Sequence, residues 1–385
     1  MNAVRSAKLG DIAAEISVGY VGPMASQYVV EGVPFLRSLN VRPLEIVMDD
    51  VKFISTEFHQ KISKSKLTPG DVVIVRTGKP GACALIPNWL QEANCSDIVI
   101  VRCGPEIHNK FLVYYVNAVA QQFVAEQLVG AVQQHFNVGS AREMVIKLPS
   151  LAEQAAVVEI LESLDNKIDL LHRQSQTLEA MAETLFRQWF LETENEGWHE
   201  KPLSSIANFL NGLACQKYPP ANDVDKLPVL KIRELSNGIT DSADWATSRV
   251  KPDYIVEAGD VIFAWSASLM VKVWDGQKCV LNQHLFKVTS CDFPKWFYLR
   301  WCKHHLVEFV AISASQATTM GHIKRGDLDA AMVLVPPQAV LDAMSQQMTP
   351  LLDKQIEVAR QRKTLEKLRD TLLPKLMSGE VRVAC

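Results

Sequence analysis

The chain has no run of apolar residues near the ~20 that a membrane helix needs, and its opening stretch, residues 1–15, lacks the apolar block of a signal peptide. Both absences point to a cytoplasmic protein with no membrane partner. An excess of positive charge is also missing. Lys and Arg number 40 against 43 Asp and Glu, a formal net charge of −3, so no global field recruits a polyanion and any such surface must be local. Eight cysteines, at 83, 95, 103, 215, 279, 291, 302 and 385, include no Cys-x-x-Cys pair and no matching histidine spacing. That argues against a zinc site and for reduced, mostly buried thiols.

Catalytic motifs are equally scarce. Gly78-Lys79-Pro80-Gly81 lacks the spacing and the Ser/Thr of a phosphate-binding loop. Tyr218-Pro219-Pro220-Ala221 has the wrong order for the Pro-Pro-aromatic loop that holds a flipped adenine, and no Gly-rich cofactor loop follows a first strand. Asp165-Asn166-Lys167 matches a nuclease metal motif only as letters, inside a helical heptad pattern. No Ser or Cys stands in a strained nucleophile elbow. The chain therefore reads as non-catalytic, with no metal and no cofactor of its own.

What is present is an internal repeat. At 385 residues, with 48% hydrophobic and 22% charged residues, the chain is long enough for two or three folded domains at roughly 150 residues each. Lys66-Leu67-Thr68-Pro69-Gly70-Asp71-Val72-Val73-Ile74 matches Ile255-Val256-Glu257-Ala258-Gly259-Asp260-Val261-Ile262-Phe263, a Gly-Asp turn entering a β-branched strand. Upstream, Val33–Arg37 answers to Leu227–Lys231, and Leu9–Ala13 to Leu203–Ala207. Strand-like stretches (Val72–Val75, Ile98–Val101, Val261–Ala264, Leu285–Val288) alternate with turns and with one helix per half, near 110–129 and 294–312.

Each half ends in a long helical pattern. Between Ser150 and Phe190 there is no Gly or Pro, and Ser150 with Glu153 forms a capping-box signature. Val157, Leu164, Leu171, Leu178 and Leu185 recur every seven residues, with Leu161, Ile168, Ala182 and Trp189 on the interleaved line. Met344, Leu351, Val358, Leu365 and Leu372 repeat the pattern 187 residues later, but with a polar second line at Gln355, Arg362 and Arg369. The expected fold is thus α+β: two pseudo-repeated mixed α/β modules, residues 1–149 and 192–336, separated by two long antiparallel coiled-coil helices, 150–191 and 337–380. About 40 residues at 1.5 Å each give roughly 60 Å of helix, longer than one ~34 Å turn of B-DNA. The same periodicity also fits a plain helical hairpin with no spacing role.

Candidate contact residues cluster near turns. In the first half Lys61, Lys64, Lys66, Arg76 and Lys79 face only Asp71 across twenty residues, a stretch suited to phosphates, with Arg37 and Thr77 beside it in the pattern. Gln133, Gln134, His135 and Asn137 offer amides and an imidazole suited to adenine edges, though a plain polar loop fits them as well. In the second half Lys231 and Arg233 are expected to alternate on one strand. Lys295, Arg300, Lys303, His304 and His305 form a run without acids, and Thr318, Thr319, His322 and Lys324 occupy the loop matching 133–137.

These features together resemble the specificity subunits of type I restriction-modification systems over essentially the whole chain. The resemblance is carried by Gly259-Asp260-Val261-Ile262-Phe263-Ala264-Trp265-Ser266, by Trp274-Asp275-Gly276 and Leu281-Asn282-Gln283-His284, and by the ending Leu372–Glu380. It adds Trp265, Ser266, Gln283 and His284 to the candidates for DNA contact. Pro149, Glu153 and Gln154 resemble the helical region that docks methyltransferase subunits in that family. The second copy departs, with Val340-Leu341 in place of Glu-Gln, and Ala267 stands where relatives carry glycine, which puts that loop's backbone in question. The resemblance implies two target recognition domains reading a split, asymmetric site on double-stranded DNA. It also implies two methyltransferase subunits using S-adenosylmethionine and restriction subunits using ATP as partners, with neither cofactor bound by this chain. The competing reading is a non-catalytic scaffold in which the coiled coil joins two protein-binding modules. A stand-alone nuclease or methyltransferase is the weakest reading.

Overall fold

The computed structural model describes residues 4–119, 123, 136–194, 196–316 and 321–383. It divides into two compact units, residues 1–166 with 367–385 (unit 1) and residues 167–366 (unit 2). Four helices matter to the argument: α1 (Asn109–Ala118), α2 (Leu151–Phe190), α3 (Lys295–Gln316) and α4 (Gln338–Ser378).

The repeat in the letters is a repeat in the strand order. In unit 1 an antiparallel sheet runs Cys83–Leu85, Val72–Val75, Ile98–Cys103, Ala13–Val18. In unit 2 the matching sheet runs Met270–Val273, Val261–Ala264, Leu285–Thr289, Asn208–Asn211. A second sheet in each unit contains one parallel pair, Val33–Leu36 with Ala93–Cys95 and Lys226–Leu230 with Cys279–Leu281. Val72–Val75 and Val261–Ala264 are buried on both faces, which explains why they read as unbroken apolar runs.

The Gly-Asp pair that carried the repeat is a turn built the same way twice. Gly70 and Gly259 sit at φ of 93° and 101°, where a Cβ is strained. The following aspartate takes the backbone N–H three residues back, Thr68 to Asp71 Oδ2 at 3.0 Å and Glu257 to Asp260 Oδ2 at 2.9 Å. Each aspartate is also met by a cation, Arg102 at 3.3 Å and Lys287 at 2.8 Å.

Helix α2 starts where its cap signature lies. Glu153 N–H reaches Ser150 Oγ at 3.4 Å, and the Glu153 carboxylate is met by the Ser150 backbone as the capping box expects and, more strongly, by Arg382 from the far end of the chain. It accepts a bidentate pair from Arg382 at 2.6 and 2.7 Å. In unit 1, Val157, Val158 and Leu161 of α2 share one core with Leu372, Leu373, Leu376 and Met377 of α4 and with Phe111, Tyr115 and Val116 of α1. In unit 2, Ala182, Phe186 and Phe190 of α2 share a core with Leu341, Met344, Met348 and Leu352 of α4 and with Trp296 and Trp301 of α3. Within each unit the paired stretches of α2 and α4 run antiparallel. At roughly 1.5–3 kcal/mol per fully buried large side chain, these cores, not helix propensity, hold the helices.

The polar line of α4 also finds its reason. Arg369 donates to Asp165 of α2 at 3.0 Å within unit 1, and Gln355 donates to Glu179 of α2 at 3.0 Å within unit 2. Arg362 and Lys363 lie 3.6 and 2.8 Å from Asp275. Buried seam positions that are polar specify partners where leucines would fit many alternatives.

The run of cations on α3 belongs to this packing, a correction to its sequence-based grouping with DNA-contact residues. Arg300 donates to both Glu179 oxygens at 2.7 and 3.0 Å, Lys303 donates at 2.7 Å, and buried His305 Nε2 lies 2.9 Å from the Met332 carbonyl. Burial alone would raise the Glu179 carboxyl, but Lys303 and Arg300 outweigh it and hold it down at about 2. Among the described residues no helix is long and apolar enough to cross a membrane, and no His/Cys/Asp/Glu group could hold a metal.

Candidate nucleic-acid interface

Each four-stranded sheet ends in a rim of three converging segments, and most described candidate residues lie on or beside it. In unit 1 the first segment is the hairpin after Val72–Val75, which carries Arg76, Thr77, Gly78 and Lys79. The second is Asp97, immediately before Ile98–Cys103. The third is Phe136, whose N–H donates to the Arg76 carbonyl at 3.2 Å. Thr77 Oγ1 donates to the Asp97 carboxylate, and Arg76 Nη1 lies 3.4 Å from its other oxygen. Asp97 adopts φ 56°, a left-handed conformation that Asp tolerates better than most residues.

Unit 2 repeats the construction with different side chains. Ile323 N–H donates to the Trp265 carbonyl at 3.0 Å, and Ala267 N–H to the Gly321 carbonyl at 2.8 Å. Ser266 Oγ shares a hydrogen bond with His284 Nδ1 at 3.1 Å. The Trp265 indole stacks on Phe286 with centroids 5.7 Å apart, lies 6.0 Å from the His284 ring and 6.3 Å from His322, and donates to Asn211 Oδ1 at 3.1 Å. Gln283 Oε1 accepts from Asn282 at 3.1 Å, which leaves its NH₂ group to donate elsewhere. Trp265, Ser266, Gln283, His284 and His322 therefore come together in one patch.

The hydrogen-bond pattern superimposes the two rims residue by residue. Trp265 stands where Arg76 is, Ser266 where Thr77 is, His284 where Asp97 is, and Ala267 where Gly78 is. Ala267 has φ 57° and Gly78 φ 82°, so the departure noted in the sequence is a left-handed alanine. Asp97 was missed by sequence reasoning. Its signal was available, as the residue just before the apolar run Ile98–Val101, matching His284 before Leu285.

The other candidates either flank the rim segments, as Lys79, Asn137 and Lys324 do, or lie elsewhere in the fold. Lys231 and Arg233 do not alternate on a strand: the strand ends at Leu230, Lys231 caps the short helix Ile232–Asn237, and exposed Arg233 pairs with Glu234 and donates to the Ser242 carbonyl at 3.0 Å. Arg37 and Lys231 are structural equivalents, each paired with the aspartate thirteen residues on, Asp50 at 2.9 Å and Asp244. Hydrogen bonds from Lys52 and Arg37 hold the Asp50 carboxyl below its usual range, and Lys231 does the same to Asp244. Asn137 caps the helix Val138–Glu143, its Oδ1 accepting from Ser140 N–H at 2.9 Å, and exposed Lys324 begins the matching helix Arg325–Ala330. Lys61, Lys64 and Lys79 are exposed, and among the described residues no side chain pairs with their ammonium groups. Gln133, Gln134, His135, Thr318 and Thr319 lie outside the described residues.

A rim with hydroxyls, an Arg, a Trp and amide donors is suited to recognition of a polar surface. Comparison with known proteins agrees. The chain matches the type I restriction modification DNA specificity domain twice, over residues 6–180 and 195–367, and belongs to that family. It is thus a DNA-recognition subunit of a restriction-modification enzyme and not itself an enzyme. It is 24% identical over 355 residues to the type I restriction enzyme MjaIX specificity subunit of Methanocaldococcus jannaschii, covering 85% of this chain and 82% of that one. It is 19% identical to the HindI specificity subunit of Haemophilus influenzae, over 70% and 76% of the two chains. The crystal structure of a type I restriction-modification S subunit from M. genitalium shares the fold, with a TM-score of 0.64 at 13% identity over 98% of this chain and 97% of that one.

Proposed function

We propose that residues 1–149 and 192–336 are two target recognition domains that read the two halves of an asymmetric, bipartite site on double-stranded DNA, joined by the helical segments 150–191 and 337–380. The observation that carries this reading is the doubled rim: one hydrogen-bonded frame, built twice, with different side chains at each matched position. Two modules with the same frame and different edges read two different short sequences, because base choice depends on which donors and acceptors reach the groove. The exposed cations Lys61, Lys64 and Lys79 supply phosphate contacts that set position without sequence preference.

The partners that follow are DNA, two methyltransferase subunits docked on the helical segments, and restriction subunits recruited to the same complex, all in the cytoplasm. Asp165–Arg369 within unit 1 and Glu179–Gln355 within unit 2 hold α2 against α4 in each unit, which supports helical segments as the elements that join the two domains. The test is to co-purify the chain with the methyltransferase subunit encoded beside it and to map DNA methylation in cells with and without the chain. A single bipartite adenine-methylated motif that vanishes on deletion is the expected result. A stable complex with unchanged methylation overturns the reading in favour of a scaffold.

A further inference from the structure

The matched position before the third strand in each sheet, Asp97 in unit 1 and His284 in unit 2, differs in side chain while the frame that holds it is the same. In both units a hydroxyl from the adjoining loop, Thr77 or Ser266, fixes the side chain. In both, the residue before that hydroxyl flanks it, Arg76 at 3.4 Å from Asp97 and Trp265 with its ring 6.0 Å from the His284 ring. In both, a third segment ties the loop down, through the Phe136 and Ile323 N–H groups. A position that is rigidly held, half-exposed and chemically different between two copies of one frame has the properties of a reading position. The Asp97 side chain keeps 42% of its surface exposed, so the hydroxyl and guanidinium do not consume it. The Arg76 side chain keeps 19% of its surface exposed, so part of its fork can donate outward, although its Nε is buried.

We propose that Asp97 and His284 are the specificity-determining residues of their modules, and that unit 1 selects a guanine–cytosine pair. Arg76 donates to the guanine O6 and N7 acceptors, and Asp97 accepts from the cytosine amino group, the pairing that a fork of donors beside a fixed carboxylate matches. Unit 2 presents an imidazole at this position in place of a carboxylate. There the Nδ1 of His284 is engaged by Ser266 and the Oε1 of the preceding Gln283 by Asn282, so the remaining Nε2 and NH₂ groups are the ones to meet a base, a combination suited to an adenine edge. Thr77 and Ser266 are positioning residues for these two.

The inference rests on the DNA-recognition reading above, and the test separates the two. The full chain, expressed with its methyltransferase subunit, is compared with Asp97→Asn and with His284→Phe by mapping methylated motifs in cells. Asn is chosen because it tolerates the left-handed backbone and can still accept from Thr77, so only the charge is removed. Phe retains the ring beside Trp265 and removes both nitrogens. Asp97→Asn is expected to relax one guanine–cytosine position in one half-site by on the order of tenfold, and His284→Phe to relax a position in the other half only. The unaltered half of each motif reports that the variant folds and assembles. If the unsubstituted chain directs no bipartite motif, the DNA-recognition reading fails. If it does and both variants leave the motif unchanged, or degrade both halves together, this inference alone is overturned.

Discussion

Removing the Glu179 carboxylate should destabilise unit 2 by an amount its surroundings fix. Glu179 receives four hydrogen bonds, two from Arg300, one from Lys303 and one from Gln355, and so ties α2 to both α3 and α4. The Arg300 side chain is only 5% exposed, whereas that of Glu179 is 38% exposed. Glu179→Ala leaves a buried guanidinium unpaired, which costs about 3–5 kcal/mol for a fully buried pair. Solvent reaching Glu179 screens part of this, so we expect about 2 kcal/mol. For a unit of about 200 residues, that corresponds to a fall in melting temperature of roughly 4–8 °C in calorimetry or circular dichroism at pH 7.

The pH dependence gives a second readout. The folded carboxyl is held at about 2, below its ordinary value of 4.5. A depressed carboxyl stabilises the fold above its unfolded value and loses that contribution as pH falls through its folded value. The gap between the unsubstituted chain and Glu179→Ala should therefore be full above about pH 4.5 and shrink progressively toward pH 2. A gap that is equal at pH 7 and pH 3, or no gap at pH 7, refutes the argument that this carboxylate clamps the helices through charge.

Other outcomes follow from the rims. Ala267→Gly should stabilise unit 2 by about 0.5–1 kcal/mol, because relief of left-handed strain outweighs the entropy glycine adds to the unfolded chain. Gly78→Ala should cost about 1 kcal/mol although its Cβ would meet nothing within 4 Å, so thermal melts of the pair isolate the backbone term. Changing Lys61, Lys64 and Lys79 to Gln should weaken DNA binding on every sequence alike. Each phosphate that one of these lysines neutralises should account for about 0.9 in the slope of log affinity against log salt, read in a titration by fluorescence anisotropy. An unchanged slope would remove these lysines from the interface.

The architecture was legible in the sequence where local rules and tertiary demands agree. The Gly-Asp turn appears twice because only a residue without Cβ fits the backbone there and the aspartate closes the turn itself. The heptad seam was readable because Val157, Leu171, Ala182, Met344 and Val358 are all buried where the spacing put them. Charge roles were less legible because partners lie far away in the chain. Arg300 and Lys303 look like a basic patch until Glu179, more than a hundred residues earlier, is placed against them. Lys231 and Arg233 looked like one face of a strand, but the chain leaves the sheet after Leu230, where Lys231 accepts the Leu235 N–H and starts a helix. Asn137 has the composition of a base-reading amide, yet its Oδ1 is occupied by a helix cap.

The division between what repeats and what differs bears on how such a chain can change its target. Residues that repeat between the units make the frame: the glycine turn, the aspartate that closes it, the cation paired with an aspartate thirteen residues on, the loop hydroxyl, and the N–H that pins the loop. The side chains that differ, Arg76 against Trp265 and Asp97 against His284, sit on that frame with part of their surface outward, while the apolar strands beneath them are fully buried. A substitution at the half-exposed Asp97 or His284 therefore leaves the buried strands beneath in place, whereas Trp265, which packs on Phe286, is tied to the core. On the reading proposed above, readout is separated from folding as binding loops are separated from the scaffold that positions them. Each module can then acquire a different base preference without a new fold.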